Sequence, residues 1–192
     1  MQKIQRLRYT SFTMFLGVDL LLTLVKEKNL VEGLCDRELT NPEGAGFDLR
    51  LGEIFTISGD GFLGITERDT PKSISVAVFS ESDKKTITIK PGEFYLVKTV
   101  EKVNLPDNLV GILMSRGTMQ RSGLFLKMNQ VAPGYSGELT FAVKNEGPSN
   151  VTLEMGTRIA HIMFAEVAGK TALYRGQWQG GRVTTEKKEV QV

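Results

Sequence analysis

Short apolar or alternating runs recur between residues 47 and 167, each bounded by Gly, Pro, Asn or Asp. In order they read "FDLRLGEIFTI", "SISVAVF", "KTITI", "EFYLVKTVEKVNL", "VGILMS", "GELTFAVKN", "NVTLEM" and "RIAHIMFAEV". Their Val, Ile, Thr and Phe content and their spacing predict the strands of a mainly β sandwich or barrel. "KPGEF" (90–94) and "LPDNL" (105–109) carry Pro followed by Gly or Asp and predict tight turns. The period changes only near the start. Between Asp19 and Lys28, the residues Leu20, Leu21, Leu24 and Val25 fall on one face of an amphipathic helix. From Thr184 onward "TTEKKEVQV" is polar and predicts a mobile end.

Composition narrows the chemistry. A chain of 192 residues suits one domain with its own core, and 41% hydrophobic with 24% charged residues is ordinary for a globular protein. A formal net charge of +2 provides no basic field for bulk nucleic-acid binding. Cys35 is the only cysteine and His161 the only histidine. That excludes an internal disulfide framework and any zinc site built from several Cys and His ligands, and with it the zinc nucleobase deaminases. The run "FTMFLGVDLLLTLV" is interrupted by Asp19, is too short to cross a bilayer, and is followed by no small-residue cleavage site. A cytoplasmic protein with no membrane and no nucleic-acid partner is the expectation.

Four stretches carry candidate chemistry. In "GAGFDLRLGEIF" (44–55), strand alternation puts Asp48 and Arg50 on one face, where the plain reading is an internal ion pair. In "SRGTMQRSG" (115–123), Arg116 and Arg121 offer fork-shaped contacts to phosphate oxygens from a Gly/Ser/Thr-rich turn; a solvated basic turn is the alternative. In "APGYSGELTFAVKN" (132–145), Glu138, Thr140 and Ala142 share a strand face, and Tyr135 is a candidate to stack on a base or to fill a core. In "GTRIAHIMF" (156–164), Arg158 suits an anion, and His161 suits acid–base work or a purely structural place. After the last strand, "YRGQWQGGR" (174–182) has the make-up of a flap over a ligand or of an arm against a neighbouring chain.

Taken in order from Gly17 to Gly181, these stretches resemble the dCTP deaminase and dUTPase superfamily. "GFDLRLGEIF" is similar to its first motif, "PGEFYLVKTVEKVNLPDNLVGILMSRGTMQRSGL" to the segment through the second, "PGYSGELTFAVKN" to the third, "GTRIAHIMF" to the C-terminal strand, and "YRGQWQGG" to the closing tail of the deaminase branch. The resemblance implies a distorted β-barrel or jelly roll over residues 17–183, with an extension at 1–16 and a polar tail at 184–192. It implies a homotrimer with shared sites that bind a deoxynucleoside triphosphate, dCTP or dUTP, with Mg²⁺ carried by the phosphates. Arg116, Gly117 and Thr118 correspond to the phosphate-binding stretch, with Gly117 in place of a serine, Arg121 to an arginine near the base and its attacking water, and Tyr174 and Gln179 to tail residues that contact the nucleotide; Tyr135 stays a candidate from its own place in the sequence. The activity implied is hydrolytic deamination of dCTP to dUTP.

Two departures fall on the chemistry. Ala132 stands where relatives place an Asp, and Ala142, five residues after Gly137, where deaminases place the Glu that activates water. Alanine accepts no proton, and proton transfer is typically worth ~10²–10⁴-fold in rate. Glu138 is the only carboxylate between Leu124 and Val143. It lies two strand steps, about 13 Å, from position 142. It becomes a catalytic substitute only through a register shift; Glu146 and His161 are the other groups a divergent enzyme would recruit. A nucleotide-binding relative without catalysis, a dUTPase-like diphosphatase and a regulatory or structural subunit stay open beside the deaminase.

Overall fold

The computed structural model describes residues 15–191, so most of the N-terminal extension lies outside the described residues. In chain order the elements are α1 (Val18–Lys28), β1 (Val31–Glu32), α2 (Asp36–Thr40), β2 (Gly46–Ser58), β3 (Phe62–Leu63), β4 (Glu67–Asp69), β5 (Lys72–Val78), β6 (Thr86–Ile89), β7 (Phe94–Asn104), β8 (Leu109–Ser115), α3 (Gly117–Arg121), β9 (Leu124–Lys127), β10 (Ser136–Asn145), β11 (Val151–Glu154), β12 (Arg158–Glu166) and β13 (Glu189–Val190). All eight runs read as strands are strands, and both Pro turns fall between strands. The fold is mainly β, as expected.

Strands β8-β12-β2-β7-β10-β9 form the body of one sheet, with β1 added to β7 and β5 to β2. The sheet curls until its ends nearly meet. Gly111 of β8 and Val131, just beyond β9, exchange backbone hydrogen bonds of 2.9 and 2.8 Å. The alternation that marks the strands also fills this barrel, with Phe47, Leu49, Leu51, Phe141, Val143, Ile162 and Phe164 buried inside. Along β5 the apolar face is left outside: Ile74, Val76 and Val78 are exposed on a strand that pairs only with β2.

Helix α1 forms where the period predicts. It ends at Asn29, whose left-handed backbone (φ 53°) lets its N–H cap the last carbonyls. Only part of its apolar stripe reaches the core. Leu21 is fully buried and Leu24 packs on the core, but Leu20 is exposed at the rim of a 560 Å³ cavity with Leu16, Leu105 and Leu109. The basic segment 115–123, read as a turn, contains the short helix α3.

The polar tail is folded in rather than loose. Thr185 is buried and donates its hydroxyl to Asp69 (2.7 Å), while Thr70 and Thr185 exchange backbone-to-hydroxyl bonds of 2.9 Å in each direction. Lys72 reaches the Thr185 and Glu186 carbonyls, and β13 pairs with β4. A Thr185→Val variant keeps the shape, strands the Thr70 N–H and leaves the Asp69 carboxylate to Lys72. A loss of about 1–3 kcal/mol in chemical denaturation is expected; a loss below about 0.5 kcal/mol would mean the clamp is idle.

Candidate functional site

Two groups of side chains stand out, at different places on the barrel. The first is centred on Asp48, in the middle of β2 and nearly inaccessible (2% exposed). Its Oδ2 accepts from the Arg116 guanidinium and from Arg158 at 2.9 Å, with Arg37 at 3.6 Å; its Oδ1 lies 2.9 Å from His161 Nδ1. Register explains the assembly: β12 runs antiparallel between β2 and β8, so His161 faces Asp48 directly across the ladder and Arg116 follows the end of β8. Glu38 of α2, buried as well, accepts from the Asp48 backbone N–H at 2.9 Å and pairs with Arg37, which also reaches Glu43 at 3.0 Å.

The carboxylates Asp48 and Glu38 are buried while the three arginines keep between 25 and 37% of their side chains exposed. Negative charge is therefore inside and guanidinium outside, an arrangement that orients cations toward an incoming anion. Burial, then the Arg158 charge beside it, lowers the pKa of Arg116 from its ordinary value. Burial also lowers that of His161, against the opposing pull of Glu38.

Asp48 does not pair with Arg50, as same-face alternation suggested. Arg50 turns to the buried Glu101 (Nε to Oε1, 2.7 Å) and to the Gly33 carbonyl, leaving Asp48 to Arg116, just after β8, and Arg158 of β12. Gly117 takes ordinary helical backbone, and its lack of a side chain serves Arg121: a Cβ there would lie 2.6 Å from the Arg121 guanidinium, which folds back over it. Thr118 and Arg121 are exposed on α3. Arg37 and Glu38 escaped the sequence reading, although the charged run "DRE" (36–38), a few residues before the Gly-rich strand entry at Gly44, was a signal.

The second group surrounds a 430 Å³ cavity under the segment 129–141. Asn129, Ala132, Tyr135, Thr140 and Phe141 line it from the barrel, and Tyr174, Trp178 and Arg182 from the tail. Tyr135 and Tyr174 meet edge-to-face at 5.3 Å between centroids. The Tyr135 hydroxyl donates to the Glu138 carbonyl at 2.6 Å, and burial pushes its pKa up to about 12, so it serves as a neutral donor. The Thr140 hydroxyl is buried without a partner, a polar atom waiting in the cavity wall.

The tail lies across this segment as a strap. Gly180 N–H bonds the Ser136 carbonyl at 2.8 Å, and the Gln179 amide bonds Ser136 N–H (3.3 Å) and Gly134 O (3.2 Å), so Gln179 is spent on backbone. The approach is close enough that Gly137 (φ 142°) has no room for a side chain against Gly180 and Gly181. A Gly137→Ala variant is expected to loosen the strap, detected as faster proteolysis between residues 175 and 190; unchanged cleavage would contradict this.

Glu138 sits beneath that strap against Gly181, with Lys102 at 3.7 Å. It does not move toward position 142. The register irregularity between Glu138 and Thr140 lies in the partner strand: Glu138 faces Lys102 and Thr140 faces Lys98, so the extra residues belong to β7. Glu138, Thr140 and Ala142 stay evenly stepped on one half-buried face, and the shift that would make Glu138 a substitute base is missing. Ala142 stands between Leu96 and Lys127 in the ladders, with no acid near it in register.

Comparison with known proteins decides the lineage. The profile of the dCTP deaminase-like family matches residues 17–167. The chain belongs to that family. A dCTP deaminase of Pyrobaculum neutrophilum is 32% identical over 143 residues, 74% of this chain and 80% of that protein. A probable deoxyuridine 5'-triphosphate nucleotidohydrolase of Aeropyrum pernix is 34% identical over 137 residues, 71% and 83% of the two chains. The crystal structure of the 2'-deoxycytidine 5'-triphosphate deaminase of Agrobacterium tumefaciens superposes with a TM-score of 0.63 at 16% identity; it covers 82% of this chain, which spans about half (49%) of that one. That last likeness shows the shared fold. Among the described residues no helix is long and apolar enough to cross a membrane.

Proposed function

We propose that this protein binds a deoxynucleoside triphosphate and does not deaminate it. The observation that carries the reading is the convergence of Arg116 and Arg158 on the buried Asp48, at the stretch (116–118) that resembles the family's phosphate-binding motif. The cavity under residues 129–141, with its four aromatics and unpartnered Thr140 hydroxyl, suits a nucleobase. Ala132 and Ala142 remove the groups that deamination at cytosine C4 would need.

The cavity and the arginines have no lining residue in common. A homotrimer in which one copy supplies the cavity and its neighbour the arginines fits that separation, and the exposed Ile74, Val76 and Val78 supply apolar surface for assembly. Light scattering should find a trimer; a monomer would remove the shared site. Mg²⁺ fits this site only as a passenger on the phosphates, whose charge it would screen, because no group of three His, Cys, Asp or Glu among the described residues is placed to hold a metal. A cytoplasmic setting completes the reading.

Thermal denaturation with Mg²⁺ and each deoxynucleoside triphosphate tests binding. A nucleotide at a hundredfold excess over its Kd stabilises by about 2.7 kcal/mol, roughly 5–11 °C for a domain of this size. Arg116→Ala should cancel the shift. No shift with any nucleotide would sink the proposal. The relative in Pyrobaculum is a dCTP deaminase, which favours a second reading, dCTP deamination to dUTP, and ammonia release in the same assay would establish it.

A further inference from the structure

The 560 Å³ cavity beside α1 takes no part in the nucleotide site proposed above. Leu16, Leu20, Leu24 and Lys28 line it from one side, four residues apart, so a single flank of α1 faces it from end to end. At about 1.5 Å per residue, Leu20 to Lys28 alone covers about 12 Å, and the cavity is a groove along the helix. Leu105, Pro106 and Leu109, at the turn between β7 and β8, form the opposite wall. Leu20 is 51% exposed within it.

The two ends of the groove carry opposite charge. Glu166 stands at the N-terminal end of the helix, where the Leu16 N–H bonds the Phe164 carbonyl at 2.9 Å, and Lys28 stands in the last turn. Both are exposed, and neither belongs to an ion pair among the described residues. An apolar groove with an acid at one end and a base at the other is complementary to itself turned end for end. A second copy laid antiparallel sets the partner's Leu24 against Leu20 and the partner's Lys28 beside Glu166, and twofold symmetry repeats both contacts. A parallel copy would set lysine on lysine and glutamate on glutamate.

We propose that α1 pairs antiparallel with α1 of a second copy of this chain, each helix lying in the other's groove. The leucines supply the attraction, and the rim charges fix the direction, since exposed ion pairs are worth little by themselves. A contact of two or three helical turns is smaller than a stable interface. Pairing therefore depends on concentration and leaves the trimer proposed above as the unit in dilute solution. The contact also reaches the strap. Gly134 and Ser136, whose backbone groups the strap binds, line the groove, as does Tyr135, which lines the cavity proposed for the base as well. A paired copy backs the turn on which the strap is docked.

Sedimentation velocity on the full chain, from low micromolar to near-millimolar concentration, tests the pairing, with mass compared to whatever smaller unit the dilute protein forms. Wild type should double. Leu20→Asp, which alters a half-exposed side chain, should keep the smaller mass at every concentration. Lys28→Glu and Glu166→Lys should each weaken pairing by about tenfold or more, because like charges then meet at both ends. Mixed in equal amounts, these two single variants present opposite charges to each other at both ends and should pair as wild type does, which misfolding of either would prevent. A groove filled by another segment of the same chain, or by a small apolar molecule, gives no doubling. That result, doubling that survives Leu20→Asp, or a mixture that stays unpaired overturns the assignment, and none of them bears on nucleotide binding.

Discussion

Asp48→Ala is expected to destabilise the protein by about 3 kcal/mol, the lower end of what losing one member of a buried charge pair costs. The lower end applies because the arginines released are each between 25 and 37% exposed and can turn to water. The loss has three parts: Arg116 and Arg158 lose their shared acceptor, His161 loses its orienting bond, and Glu38, still fixed on the residue 48 N–H, is left beside Arg37 alone. For a domain of this length the melting temperature should fall by roughly 6–12 °C. Asp48→Asn keeps one oxygen acceptor and should lose less. A drop below about 1 kcal/mol for the alanine variant would show that the arginines repartner at no cost, and that the cluster is a surface arrangement rather than a fixed frame.

The second large effect is a gain. Ala142→Glu combined with Ala132→Asp is expected to raise ammonia release from dCTP by ~10²–10⁴-fold over wild type, the usual worth of a placed proton-transfer group. The barrel is ready for the longer side chain. Position 142 is half-buried on the same face as Thr140, and its register partner on β9 is Lys127, which gives an introduced carboxylate a cross-strand cation. Position 132 already lines the cavity proposed for the base. The measurement is ammonia formed per bound nucleotide. A folded double variant that binds dCTP and forms none would show that positions 132 and 142 do not correspond to the catalytic acids of the relatives.

The strands were legible because alternation, as in β2 and β10, and short apolar runs bounded by turn residues, as in β12, are strong signals. Alternation tells which face a residue occupies and nothing about what stands opposite. Asp48 and Arg50 do share a face, yet their partners lie 110 and 51 residues away, at Arg158 and Glu101. The five-residue helices α2 and α3 are too short to show a period, so the arginine stretch passed for a turn. Polar composition concealed the tail for a similar reason: a threonine buries easily once its hydroxyl is paired, and the sequence does not announce the pairing. The carboxylates missing at 132 and 142 were visible at once, being a matter of residue identity. That Glu138 stays in step with position 142, with the irregularity on the partner strand, required the register of β7.

The Thr70–Thr185 clamp also bears on how the molecule is made. Its two halves are 115 residues apart, so at ordinary elongation rates the β3–β4 hairpin is synthesised roughly 6–23 s before Thr185 exists. Through that interval Asp69, Thr70 and β4 have no strand and no hydroxyl to receive them, and the strap over residues 134–138 cannot be anchored. The earlier barrel strands β2 and β7 can pair in the meantime. The wall that the tail gives the cavity is therefore the last part of the molecule to be made, and until the tail docks, the cavity proposed for the base is open on one side.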